Sequence, residues 1–88
     1  LHDPRVSVAV LAYRPFYILG EVQRPGAYPY SPDLSIMGAI ATAGGFTYRA
    51  NRRAAFISEP RGRERRVMLN GAVQIRPGDT IRVTERWF

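Results

Sequence analysis

The chain has 88 residues, of which 45% are hydrophobic, and its 13 basic residues against 7 acidic ones give a net charge of +6. This length allows one domain with one modest core, and the absence of cysteine excludes disulfides and thiolate metal sites as its source of stability. No apolar run approaches the about 18 to 20 residues of a membrane-spanning helix, and the N-terminus lacks a signal-peptide pattern, so the chain itself is expected to be soluble.

The first third of the chain has the residue pattern of strands. Residues 6–10 alternate valine with small side chains, and residues 16–22 carry a second alternating pattern. We predict that these two segments pair as a hairpin. Proline followed by glycine at Pro25-Gly26 is typical of a type II turn, and a short strand over residues 27–30 is expected to follow it.

One short helix is predicted in the middle of the chain. Ser35 can cap its start and Ala43 ends it, and its apolar side is expected to pack on a sheet. Gly44 suits the left-handed position just past the helix, and Gly45 allows a sharp turn.

The last third predicts further strands. Residues 54–58 and 65–69, joined by the turn at 60–63, are expected to form a hairpin. Pro77-Gly78 marks a turn before the last strand, over residues 81–84. The order of elements predicts an α+β, β-grasp-like domain in which one short helix packs across a small mixed sheet.

Four segments carry a family likeness: Asp3-Pro4-Arg5-Val6-Ser7-Val8, the run from Tyr17 to Tyr28 (YILGEVQRPGAY), Ala41-Thr42-Ala43-Gly44-Gly45-Phe46, and Arg76-Pro77-Gly78-Asp79-Thr80-Ile81-Arg82-Val83. In order and spacing they resemble the soluble-ligand-binding β-grasp (SLBB) domain of outer-membrane polysaccharide export proteins. The likeness covers about residues 3 to 86. The segment 70–74 is shorter than the connection that relatives often carry.

The resemblance implies that residues 1–88 form a single SLBB domain, the C-terminal fragment of a longer export protein. Its expected role is a non-catalytic module of a homo-oligomeric ring on the periplasmic side of the outer membrane. The ring would conduct capsular or exopolysaccharide, with an inner-membrane polysaccharide co-polymerase as partner. A small-ligand or nucleic-acid binding β-grasp module is the alternative, although no nucleic-acid-binding motif is present and no nucleic-acid partner is expected.

Catalysis, metal binding and a cofactor are not expected. His2 is the only histidine, and the carboxylates are scattered without a metal-loop spacing. Turn and cap geometry accounts for a set of residues without any ligand contact. These structural positions are Gly20, Pro25, Gly26, Ser35, Gly44, Gly45, Pro77 and Gly78.

Alternation along residues 16–22 turns Tyr17 and Leu19 away from the helix side. We interpret this apolar pair as a candidate subunit interface, with an ordinary surface exception as the alternative. Phe56 would join the pair if Ala55 and Ile57 face inward.

Arg49, Arg52 and Arg53 lie close together in the sequence and beside Tyr48. We predict that they contact an acidic polysaccharide, since a guanidinium group can hold a carboxylate while tyrosines stack on sugar faces. The other candidates for this ligand-binding face are Tyr28 and Tyr30. A second cluster consists of Arg61, Arg63, Arg65 and Arg66. A solvated basic surface is the alternative for both clusters.

Overall fold

The structure is a computed structural model, and it describes residues 13–69 and 73–86. Five strands and one helix make up this part of the chain. In chain order they are β1 (Phe16–Gly20), β2 (Gly26–Tyr28), α1 (Ile36–Thr42), β3 (Ala54–Ser58), β4 (Glu64–Met68) and β5 (Thr80–Val83).

The strands form one mixed sheet in the order β2-β1-β5-β3-β4. The central pair, β1 and β5, is parallel, with Ile18 opposite Ile81, and the other three pairs are antiparallel. The first and last described strands therefore lie side by side. This arrangement confirms the predicted α+β class, with one short helix and a small mixed sheet.

The core lies between the helix and one face of the sheet. Phe16 and Ile18 on β1 are buried in the same cluster as Ile36 and Ile40 on α1. Side chains in a strand alternate between faces, so Tyr17, which lies between these two β1 positions, points away from α1. Burying each large apolar side chain contributes about 1.5–3 kcal/mol. The domain thus has two layers, and one face of its sheet is not covered by the helix.

The helix has the start and end that the sequence predicted. The Ser35 hydroxyl oxygen accepts a hydrogen bond from the backbone N–H of Gly38 at 3.0 Å, and Ala43 follows the last helical residue. Gly44 has φ +91°, and the N–H of Gly45 donates to the carbonyl of Ile40 at 2.9 Å. A seven-residue helix gains little stability alone, so its packing on the sheet maintains it.

The pairing of β1 differs from the predicted hairpin. The predicted strand 6–10 lies outside the described residues, and β1 lies between β2 and β5, so its neighbours on both sides are other strands. The alternation of valines indicates a strand but carries no information about its partner.

The Pro25-Gly26 segment also differs from its prediction. Gly26 has φ +152°, far from the about +80° that the third residue of a type II turn adopts, and it already belongs to β2. The strand ends at Tyr28 rather than at residue 30 because the next residue, Pro29, has no N–H to donate to a ladder.

Gly20 ends β1 where the chain passes very close to β5. Its φ is +92°, and a Cβ atom placed on it would lie 2.0 Å from the carbonyl oxygen of Val83. The next N–H, that of Glu21, donates to the same oxygen at 2.9 Å. Glycine is therefore required here for both space and backbone conformation.

The turn before β5 joins the starts of the two central strands. The buried carboxylate of Asp79 accepts a hydrogen bond from the N–H of Arg76 at 2.9 Å, which closes the turn that contains Pro77. The N–H of Gly78 donates to Pro15 at 3.0 Å. Pro77 and Gly78 therefore lie in the turn that leads into β5.

Candidate interaction surfaces

The sheet face opposite α1, called here the outer face, carries the pair predicted as an interface. Tyr17 is 40% exposed and Leu19 is 47% exposed, while their strand neighbours Phe16 and Ile18 are fully buried. The predicted phase of the strand is confirmed. Exposed apolar side chains on a sheet face are available to a partner.

Phe56 also belongs to the outer face. Ala55 and Ile57, its neighbours on β3, are both fully buried, which is the condition under which it was expected to face outward. Across the sheet, Arg82 lies opposite both Leu19 on β1 and Phe56 on β3. The three predicted interface residues therefore share one face.

The side of the outer face towards β4 is charged. The Arg82 guanidinium donates to both carboxylate oxygens of Glu64, at 3.1 Å each, and lies 4.5 Å from the centre of the Phe56 ring. These hydrogen bonds from Arg82 lower the pKa of Glu64 below its usual value. A two-point contact to a carboxylate fixes the orientation of the arginine. The outer face is thus apolar on β1. On its other side, an ion pair joins β5 to β4 across β3.

Both edges of the sheet are unsuited to extension by another strand. The β2 edge has only three residues and is flanked by Pro25 and Pro29, which cannot donate to a ladder. The β4 edge carries Arg65 and Arg66, and charged side chains on an edge strand oppose pairing with a further strand. A protein partner would therefore contact the outer face more readily than it would extend the sheet at either edge.

The predicted arginine cluster lies at the end of the sheet where β5 finishes and β3 begins. Arg49 Nε is 3.6 Å from a carboxylate oxygen of Glu85, and Tyr48 is 78% exposed with the Arg86 guanidinium 4.9 Å from its ring centre. These four residues line one shallow depression. Glu85 compensates the charge of Arg49, which makes this arginine less available to an anion.

The other two arginines of the cluster lie on a different part of the surface. Arg52 approaches the Phe46 ring at 5.7 Å, and Arg52 and Arg53 line a second depression together with Met68 and Leu69. The N–H of Leu69 donates to the carbonyl of Arg53 at 2.7 Å, which fixes this pair beside the end of β4. Neither arginine is paired with a carboxylate among residues 13–69 and 73–86.

Tyr28 lies far from the arginines with which it was grouped. It pairs with Phe16 at the start of β1, and its ring stacks on that phenylalanine at 6.0 Å. Its hydroxyl donates to the carbonyl of Arg24. Since β1 and β5 are parallel and β3 is antiparallel to β5, the start of β1 is at the opposite end of the sheet from the start of β3.

Tyr30 is also separate from the arginine cluster. Its hydroxyl donates to the carbonyl of Ile75 at 3.3 Å, and its ring meets that of Tyr13 edge to face at 5.2 Å. Both Tyr28 and Tyr30 are partly buried against the core. The structure therefore does not bring these two tyrosines together with Arg49, Arg52 and Arg53 in one site.

Sequence reasoning missed the ion pair of Arg82 with Glu64, which lies on the outer face. The two residues are 18 positions apart and belong to strands that are not adjacent in the sheet. Alternation alone could have placed each on a face, but their contact depends on the strand order. That order follows from the long-range pairing of β5 with both β1 and β3.

The described part of the chain holds no group of three or more His, Cys, Asp or Glu side chains that could bind a metal ion. His2 lies outside the described residues. In the same part of the chain no helix is long and apolar enough to cross a membrane.

Comparison with known proteins places the chain in a family. The model of the SLBB domain matches residues 15–73, which include α1 and four of the five strands. The chain therefore belongs to the SLBB domain family. A segment of 42 residues is 50% identical to the exopolysaccharide production protein ExoF of Rhizobium meliloti (strain 1021). That match covers 48% of this chain and only 10% of the relative.

Proposed function

We propose that this chain is a non-catalytic assembly and binding module of a protein that exports exopolysaccharide. The observation that supports this most strongly is that a 42-residue segment of this SLBB domain is 50% identical to an exopolysaccharide production protein. In this proposal the chain is one domain of a longer protein. That protein acts at the periplasmic side of the outer membrane and works with an inner-membrane polysaccharide co-polymerase.

The outer face supports an assembly role. Tyr17 and Leu19 are exposed, they lie beside each other on a strand, and the helix covers the opposite face of the sheet. Both edges are blunted, so an interface between copies would use this face rather than continue the sheet. Contacts that repeat around a closed symmetric assembly would form a ring.

The test is the oligomeric state of the longer protein by light scattering. Tyr17→Ser with Leu19→Ser removes the apolar part of the outer face and should shift a large closed oligomer towards smaller species. Met37→Ser is the matched control, because Met37 is also exposed, at 42%, but lies on α1 on the other side of the sheet. Unchanged assembly of the double variant would reject the outer face as the interface, and a stable monomer of the unmodified protein would reject the ring.

A small-ligand or nucleic-acid binding module remains the second candidate, favoured by the net charge of +6. The two functions predict different amounts of secreted polysaccharide when the protein is absent. An export module is needed for polysaccharide to reach the medium, whereas a nucleic-acid binding module is not.

A further inference from the structure

Two pairs of arginines lie along the β4 edge of the sheet, and they combine Arg52 and Arg53 of the first cluster predicted from the sequence with two arginines of the second. At one end of β4, Arg63 and Arg65 line a depression together with Glu59 and Glu64. At the other end, the depression beside Met68 and Leu69 contains Arg52 and Arg53. We propose that these two arginine pairs, called here the β4 track, bind a linear carboxylated polysaccharide along this edge. This proposal rests on the proposed function and specifies where its cargo is bound.

The charge distribution supports a track at this edge. Among residues 13–69 and 73–86, Arg49 and Arg82 form ion pairs with Glu85 and Glu64, and neither arginine is a track residue. Arg52, Arg53, Arg63 and Arg65 have no carboxylate partner within ion-pair distance in that part of the chain. Of the carboxylates beside the track, Glu64 is already held by Arg82 at 3.1 Å. Positive charge therefore dominates along β4.

The spacing of the two pairs selects a polymer over a single anion. The hydrogen bond between Leu69 and Arg53 places the second pair beside Leu69, which lies about 13 Å along the strand from Arg65 at about 3.3 Å per residue. One carboxylate or phosphate cannot bridge that distance. A ligand that contacts both pairs must carry repeated negative charges on an extended backbone.

The chemistry of the side chains favours carboxylates. Arginine presents a planar pair of donors that matches the two oxygens of a carboxylate. The protein itself shows this contact beside the track, where Arg82 on β5 donates to both oxygens of Glu64 on β4. Beside the second pair, Met68 is 44% exposed and offers apolar surface to the carbon face of a sugar ring.

The two ends of the track are not equivalent. Glu59 and Glu64 line the first depression, and their negative charge opposes an incoming carboxylate. The second depression is lined by Arg52, Arg53, Met68 and Leu69 and has no acidic residue in its lining. The Arg52 and Arg53 pair is therefore expected to contribute more to binding than the Arg63 and Arg65 pair.

The experiment titrates the chain with polygalacturonate, monomeric galacturonate, neutral dextran and duplex DNA. Polygalacturonate should bind, and binding should weaken with added salt because the screening length falls from about 10 Å at 0.1 M to about 3 Å at 1 M. Arg52→Gln with Arg53→Gln should weaken it about 2- to 25-fold, from the usual strength of two exposed charge contacts. The matched control is Arg14→Gln with Arg24→Gln, which removes the same charge from exposed positions outside the hairpin and should have a smaller effect.

Charges on an edge strand also oppose unwanted sheet pairing, and one further variant separates the two roles. Arg63→Glu with Arg65→Glu keeps the edge charged but reverses its sign, so it should reduce polygalacturonate binding while the chain stays folded. Unchanged binding by this variant would mean that the arginines only protect the edge.

Several results would overturn the β4 track. The first is that the control and track variants lose equal affinity for polygalacturonate. The others concern the ligand: no binding of polygalacturonate, equal affinity for monomeric galacturonate or for dextran, or tighter binding of DNA than of polygalacturonate. Failure of the track is distinguishable from failure of the proposed function. If polygalacturonate does not bind while the longer protein still forms its closed oligomer, the track is rejected and the assembly role stands.

Discussion

The strand phase of β1 decides which side chains are free for a partner, and neighbouring substitutions test it directly. Ile18 is fully buried and faces α1, whereas Leu19 is 47% exposed on the outer face. Ile18→Ala removes three carbon atoms, worth about 2.4 kcal/mol at about 0.8 kcal/mol per buried CH₂ group. The cavity left behind brings the expected loss of unfolding free energy into the range of about 2–5 kcal/mol.

That loss is large for a domain of this size. An 88-residue chain is expected to have an unfolding free energy of about 4–13 kcal/mol, so the loss is a substantial fraction of the total. With about 4–8 °C per kcal/mol, a loss of 3 kcal/mol lowers the Tm by about 12–24 °C. Leu19→Ala should cost less than about 1 kcal/mol, because the leucine leaves much of its surface in water.

The assay is urea and thermal unfolding of both variants followed by circular dichroism. The expected result is a large decrease in stability for Ile18→Ala and a small one for Leu19→Ala. Equal destabilisation would show that Leu19 belongs to the core. The outer face would then not be free to serve as an interface.

Two further predictions concern the close strand approach and the surface ion pair. Gly20→Ala should destabilise the fold by at least about 2 kcal/mol, because it adds a clash with Val83 to the strain of a positive φ. Gly45→Ala should cost less, because Gly45 has a similar φ of +89° but no atom within 4 Å of the added Cβ. Equal losses of unfolding free energy would show that the close approach of Gly20 to Val83 does not matter. Because Arg82 lowers the pKa of Glu64 in the folded state, this pair stabilises the protein above the unfolded pKa near 4.5 and its contribution is lost as pH falls through the lower folded value. Glu64→Gln should therefore reduce the loss of stability on acidification, and an unchanged dependence of the unfolding midpoint on pH would contradict the role of the ion pair.

Much of the local structure could be predicted from the sequence because it depends on short-range chemistry. The helix cap at Ser35, the left-handed Gly44 and the strand over residues 54–58 each follow from a few neighbouring residues. The exposure of Tyr17 and Leu19 likewise follows from alternation along one strand. These features do not require knowledge of which strands pair.

The errors arose where the outcome depends on contacts between distant residues. Alternation identified β1 as a strand but not β5 as its parallel neighbour, and the predicted hairpin partner was wrong for that reason. Tyr28 was grouped with Arg49 because both side chains can contact a polysaccharide, without knowledge of their positions in the sheet. The structure places them at opposite ends of the sheet. The contact of Arg82 with Glu64 and the β4 track became visible only with the strand order.

The most direct test of the proposed function is the amount of exopolysaccharide in the medium of cells that produce the longer protein with and without residues 15–86. Removal of this domain should abolish or strongly reduce secreted polymer while the protein is still made, and restoring the domain should restore secretion. The same strain carrying Met37→Ser should secrete normally, since that exposed side chain lies outside both proposed surfaces. Normal secretion without the domain would contradict an export role for this chain.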